Sequence, residues 1–187
     1  MTKSQFMTIA MALCLTFQSP TGYAQSNWKT YTDKQAGYSI TYPGFLRQIP
    51  WKERYPDADQ ESIKQWRTKT FLSKEREVTL YLEFHPVSEP KSLEQFFNEK
   101  LENRTTGGDH IGYVLTKDNW FVISGVNTQG YEFYEKFFLF TPTTGEDSNW
   151  YIYFDFIYPH EQHKIYDPLL AKIAHDFVPN LPGNHEH

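Results

Sequence analysis

Three long apolar runs, separated by short polar breaks, dominate the second half of the chain. They are Trp120–Val126, residues 131–141 and residues 150–158, each rich in Val, Ile, Phe, Tyr and Trp. Such residues fit a pleated, half-buried surface. Asn127-Thr128-Gln129-Gly130 separates the first two runs, and residues 142–149 separate the last two. This spacing predicts a β-meander of consecutive antiparallel strands, the centre of the sheet.

Shorter signals precede the meander. Tyr38, Ile40 and Tyr42 alternate with Ser39 and Thr41 and end at Pro43-Gly44, which predicts a half-buried strand closed by a turn. Residues 47–63 hold no sustained period and read as loop with a helical turn. Residues 69–73 and 78–85 read as two strands around a polar turn, the second with Val78, Leu80, Leu82 and Phe84 on one face. Ser92 and Gln95 then form the capping-box pattern of a helix start. Leu93, Phe96, Phe97 and Leu101 make that helix's apolar stripe, and Gly107-Gly108 ends it. Residues 111–116 are one more strand. In the last helix Ile165, Leu169, Ile173 and Phe177 recur every four residues. Asp167-Pro168 suits its N-cap and first position, because proline's missing N–H costs nothing there; a start nearer Pro159 would leave Pro168 inside the helix. Leu101 and Ile173 are expected to be almost inaccessible. The sum is an α+β fold, an antiparallel β-sheet sandwiched by helices.

The first residues change the picture of where this fold works. Lys3, an apolar run over residues 6–17, and Gly22-Tyr23-Ala24 form the pattern of a secretory signal peptide. The run is shorter than the roughly 20 residues that span a bilayer. Cys14, the one cysteine, follows Leu13 where a lipid-attachment signal would place a small residue. Residues 1–24 are therefore expected to be a signal peptide, with 25–187 a single exported domain, periplasmic or secreted and without a membrane anchor. The formal net charge of −5 is spread along the chain. That disfavours nucleic acid, whose phosphates call for clustered Lys and Arg. Without cysteines in the domain, disulfides and thiol chemistry drop out.

Trp28-x-x-Tyr31, Gly37-Tyr-Ser-Ile-x-Tyr-Pro43, Asn119-Trp-Phe-Val-Ile-Ser-Gly125, Tyr131-x-x-Tyr134-x-Lys136 and the closing Tyr166-Asp-Pro-x-x-x-x-Ile173-x-x-x-Phe177 run through most of the domain. The pattern resembles exported bacterial members of the PsbP/Mog1-like superfamily. The resemblance implies an antiparallel sheet between helices. It also implies an accessory role, as in photosystem subunits, a small-GTPase partner and adaptors for secreted toxins, with no assigned chemistry. Shared fold does not carry function across.

Candidate chemistry is sparse. His160-Glu161-Gln162-His163 falls one residue short of the zinc-protease motif, which needs histidines four apart with a glutamate base between them. Ser124-Gly125 lacks the flanking glycines of a nucleophile elbow. Asp109 and His110 are neighbours in an extended segment and point to opposite faces. No motif asks for a cofactor. Trp51, Tyr55 and Trp66 lie in the irregular charged region, where little forces aromatic rings inward.

Glu135, Lys136 and Asp155 interrupt two of the apolar runs. A hairpin centred on Gly145 would set Glu135 against Asp155, and like charges across strands destabilise. A one-residue shift puts Lys136 opposite Asp155, on a face with Tyr134 and Tyr153, which predicts a Lys136–Asp155 ion pair. Lys136, Asp155, Tyr134, Tyr153, Trp51 and Trp66 are thus the candidate ligand-binding residues. Two functions remain: a non-catalytic exported binding or accessory module for a protein partner or small ligand, and a metal-dependent envelope hydrolase using His160, Glu161 and His163.

Overall fold

The computed structural model describes residues 27–34, 36–57, 68–87, 91–140, 150–177 and 179. The expected signal peptide, Trp66 and the tail 180–187 lie outside them. In chain order the elements are β1 (Trp28–Asp33), β2 (Tyr38–Pro43), β3 (Arg47–Ile49), α1 (Trp51–Arg54), β4 (Lys69–Leu72) and β5 (Thr79–Pro86). There follow α2 (Leu93–Thr106), β6 (His110–Thr116), β7 (Trp120–Val126), β8 (Tyr131–Phe140), β9 (Trp150–Pro159), a 3₁₀ turn (His160–Gln162) and α3 (His163–Asp176).

Among the described residues, seven strands form one sheet in the order β3-β4-β5-β9-β8-β7-β6. Every pairing is antiparallel. β7, β8 and β9 are consecutive neighbours, as the sequence predicts. In the described part of the expected loop, residues 47–57, the helical turn is present as α1, and β3 adds an edge strand that the pattern does not suggest. Too few residues make up either element for a hydrophobic period to register.

The period of two divides the sheet's side chains between two cores. On one face Phe71, Leu80, Leu82, Ile152, Phe154 and Phe156 meet the β1–β2 hairpin and α3, with Phe177 at the centre. Phe177 packs edge-on against Tyr38, Phe138 and Phe154 at ring distances of 6.0, 5.8 and 5.1 Å. On the other face Phe121, Ile123, Phe133, Phe137 and Leu139 meet α2 through Phe96. Burying a side chain of this size contributes roughly 1.5–3 kcal/mol, so two aromatic cores can hold the domain without covalent staples.

α2 begins as its sequence predicts. Gln95 N–H donates to Ser92 Oγ at 3.1 Å and Ser92 N–H to Gln95 Oε1 at 2.9 Å, closing the capping box. It ends where Gly108 takes φ +86°, a conformation glycine adopts without strain. Ile173 is fully buried as expected, but Leu101 is only half-buried. The row facing the sheet is Phe96, Lys100 and Arg104, spaced four apart, and Leu101 flanks it. Lys100 Nζ lies 5.3 Å from the Phe96 and Phe137 rings, and Arg104 Cζ lies 4.1 Å from the Phe133 ring. The stems of long cationic residues can cover apolar surface, so the central row is partly charged.

α3 starts at His163 and holds Pro168 inside it, so Asp167-Pro168 is not the helix start. The 3₁₀ turn leads directly into the helix. Asp167 is committed elsewhere, accepting a hydrogen bond from the Tyr158 hydroxyl at 2.8 Å. Pro168 has no N–H to give the Lys164 carbonyl, the cost of its position.

Candidate functional site

The β8–β9 register sets Glu135 opposite Asp155 and Lys136 opposite Phe154. The expected Lys136–Asp155 ion pair does not form: the two side chains lie on opposite faces of the sheet. Arg104 of α2 is what makes the like-charged register tenable. Its Nη2 donates to Glu135 Oε1 at 2.7 Å and its Nε to Oε2 at 3.3 Å, a two-point grip on the carboxylate. Nη1 donates to Asp109 Oδ2 at 3.0 Å, and Nη2 stands 3.6 Å from Asp155 Oδ2. One guanidinium thus answers three carboxylates while its plane covers Phe133. Only Arg combines a planar fork with the ability to stack on a ring.

Helix termination places these groups. Gly108 turns the chain so that Asp109 emerges beside Arg104, and Asp109 Oδ1 also accepts from Thr128 N–H at 3.3 Å in the β7–β8 turn. Burial drives the Asp155 carboxyl well above the usual carboxylate range, and the Glu135 charge adds to this against the opposing pull of Arg104. Asp155 Oδ1 is buried and has no hydrogen-bond partner among the described residues. Burial alone would lower the Arg104 guanidinium, but Glu135, Asp155 and Asp109 together hold it above its ordinary value.

Tyr153 shares the α2 face with Asp155 and belongs to a second polar group centred on Glu83. The Tyr81 hydroxyl donates to Glu83 Oε2 at 2.7 Å, Tyr151 to Oε1, and Tyr153 to Oε2 at 3.5 Å. The Tyr153 ring stacks on Phe137 at 4.4 Å. All three phenols are raised above their ordinary range, by burial first and then by the Glu83 charge.

Lys136 and Tyr134 lie on the α3 face. Lys136 Nζ donates to the Ala174 carbonyl at 2.9 Å and sits 4.9 Å from the Trp120 ring. It therefore satisfies one of the carbonyls that a helix end leaves unpaired, and burial lowers its pKa. Tyr134 stacks on Phe154 at 5.7 Å, and its hydroxyl is pushed up to about 12 by burial and then by Tyr113. Lys136 and Tyr134 thus lie on the face opposite Asp155 and Tyr153, and the five described candidate residues do not form one site. Trp51 packs on Tyr55 at 4.1 Å beside a cleft of about 80 Å³ lined by Gln48, Arg54 and Thr68.

His160 and His163 are brought together, their rings stacked 6.0 Å apart. Each answers a different carboxylate: His160 Nδ1 lies 2.6 Å from Glu132 Oε1, and His163 Nδ1 lies 3.4 Å from Asp167 Oδ2. Among the described residues no three of His, Cys, Asp and Glu gather as a metal would need. Ser124 lies within β7, and Gly125 beside it is required by packing. A Cβ there would stand 2.0 Å from the His110 carbonyl oxygen of β6.

β6 itself carries what the sequence reading passed over. It ends the sheet, paired to β7 alone among the described residues. Tyr113 and Val114 are the large hydrophobic side chains exposed there, at 50% and 43%. No charged residue stands between Ile111 and Thr116. The available signal was that run of uncharged residues on a strand bounded by Asp109 and Lys117.

Comparison with known proteins places the fold. No family model matches the chain, and no curated protein matches it. Its structure is similar to the solution structure of cyanobacterial PsbP (CyanoP) from Synechocystis sp. PCC 6803, with a TM-score of 0.54 and 15% identity, over 87% of this chain and 98% of that one. A mutant of the protein Mog1 superposes with a TM-score of 0.44 and 10% identity, over 82% and 96% of the two chains. The chain has the PsbP-like fold, which among the described residues is a seven-stranded antiparallel sheet flanked by helices and by the two-stranded β1–β2 hairpin.

Proposed function

We propose that this domain is a non-catalytic binding or accessory module, exported from the cytoplasm, that docks a protein partner along the outer edge of β6. The observation carrying this reading is the uncharged β6 edge with exposed Tyr113 and Val114. A strand edge offers a row of backbone donors and acceptors, and folded proteins usually blunt it with lysine, proline, a bulge or a cover. β6 has a register irregularity between Ile111 and Tyr113 but no charge. Main-chain pairing would supply affinity, and side chains of the added strand packing on Tyr113 would supply selectivity. Export draws support from the signal-peptide pattern of residues 1–24.

The charged groups elsewhere favour the same view. Arg104 with Glu135, and Lys136 with the Ala174 carbonyl, fix helices to the sheet, Asp109 ties Arg104 to the β7–β8 turn, and Glu83 is engaged by tyrosines of the sheet itself.

The test is photocrosslinking in the native envelope with the reactive residue at position 114, compared with the exposed position 172 on α3. A discrete adduct with one protein at 114, absent at 172 and lost when Tyr113→Lys is added, is the expected result. Equal labelling from both positions would overturn the proposal.

A further inference from the structure

At the opposite edge of the sheet, two adjoining clefts open beside the β4–β5 turn. The smaller, about 310 Å³, is lined by Phe45, Arg47, Leu72, Ser73, Lys74 and Arg76. The larger, about 350 Å³, shares Phe45, Ser73 and Lys74 and adds Glu75, Glu77 and Tyr166. The smaller cleft thus carries three cations and no carboxylate among its lining residues, while the acids of the turn face the larger one. Lys74 has no ion-pair partner among the described residues.

Arg47 and Arg76 converge on one internal carboxylate. Glu53 of α1 accepts from Arg76 Nη2 and stands 3.6 Å from Arg47 Nη2. The two guanidinium groups are therefore spaced to grip a carboxylate from both sides, the geometry at which Arg excels.

The backbone at Arg76 adds an independent observation. Its φ is +63°, and it is the non-glycine residue with positive φ among the described residues. The turn is fixed by Arg76 N–H to the Ser73 carbonyl at 3.1 Å, Ser73 N–H to the Val78 carbonyl at 2.9 Å and Val78 N–H to Ser73 Oγ at 3.1 Å. Glycine would adopt this conformation without strain. An arginine held there keeps a guanidinium at the cleft against a local conformational cost, and such outliers collect at ligand clamps.

We propose that the smaller cleft binds an organic anion, a carboxylate or phosphate carried on an apolar body. The anionic group meets Lys74 and shares Arg76 and Arg47 with Glu53, and the apolar part lies on Phe45 and Leu72. This site is separate from the β6 edge and does not depend on it.

The experiment is an amide chemical-shift titration of the chain with phenyl phosphate, with inorganic phosphate run in parallel. Phenyl phosphate is expected to shift Phe45, Arg47 and residues 73–76 saturably, and to bind more tightly than inorganic phosphate. Arg76→Gly removes the charge and relieves the turn together. It should bind about tenfold more weakly, the scale of one lost charged hydrogen bond, while unfolding at the same or higher denaturant concentration. Lys74→Glu, on an exposed side chain, should weaken binding while leaving stability unchanged. Absence of saturable shifts, equal binding of the two phosphates, or undiminished binding in both variants would overturn the proposal.

Discussion

Glu135 and Asp155 face each other across β8 and β9, and Arg104 from α2 holds them there. Two facing carboxylates are unfavourable alone, so the register is stable only because the helix delivers a cation to them. Arg104→Ala would leave both acids buried without their partner. Breaking a buried pair in this way costs about 3–5 kcal/mol. Urea unfolding should show a loss of that size, and Glu135→Gln in the Arg104→Ala background should recover part of it. A loss within the scatter of ordinary surface changes would remove Arg104 from the account.

The same geometry gives a coupling test. Arg104 and Glu135 touch, so a double-mutant cycle between them should give an interaction of about 0.5–3 kcal/mol. Lys136 and Asp155 lie on opposite faces, and their cycle should be additive to within about 0.5 kcal/mol. A strong Lys136–Asp155 coupling would restore the register that the charges alone suggested.

Asp155 also sets a pH dependence. Its carboxyl faces Glu135 and Asp109 as like charges and Arg104 and Arg54 as opposite ones. Burial raises its pKa in the folded state, so the folded chain holds this proton more tightly than the unfolded chain does. Its contribution is most favourable below the ordinary aspartate range near pH 4. It declines as pH rises from there through the raised folded value, because stability falls with pH wherever the native state binds more protons. The difference between wild-type and Asp155→Asn stability should therefore shift against the wild type as pH increases. A pH-independent difference would contradict the raised carboxyl.

At Gly125, β7 lies so close to β6 that an added Cβ would stand 2.0 Å from the His110 carbonyl oxygen. Gly125→Ala should displace β6 and cost more than the roughly 1 kcal/mol typical of point substitutions. Hydrogen exchange should rise in residues 110–116 before it rises in β8 and β9. Unchanged protection of β6 would mean that the strand accommodates the methyl group.

Much of this fold is legible in the chain. Long aromatic runs give β7, β8 and β9, and Ser92 with Gln95 gives the start of α2, because those signals are local. The register is not local. Facing residues alone argue against Glu135 opposite Asp155, and the deciding group, Arg104, comes from a different element. Leu101 is less buried than its spacing suggests for a related reason: a hydrophobic stripe omits cations, yet Lys100 and Arg104 share the central row with Phe96. Asp167 has the chemistry of a cap but is taken by Tyr158, a tertiary contact that spacing does not reveal. The β6 edge was visible as an uncharged run, but only the strand order shows that it ends the sheet.

The central claim is that the buried charges hold the sheet together while the uncharged edge of β6 does the recognising. Crosslinking from position 114 in two backgrounds tests it most directly, after each variant is shown to be folded by its far-ultraviolet circular dichroism. Asp155→Asn alters the charge network and should leave the adduct intact. Tyr113→Lys places a charge on the strand edge and should abolish it. Loss of the adduct in Asp155→Asn with retention in Tyr113→Lys would contradict the account.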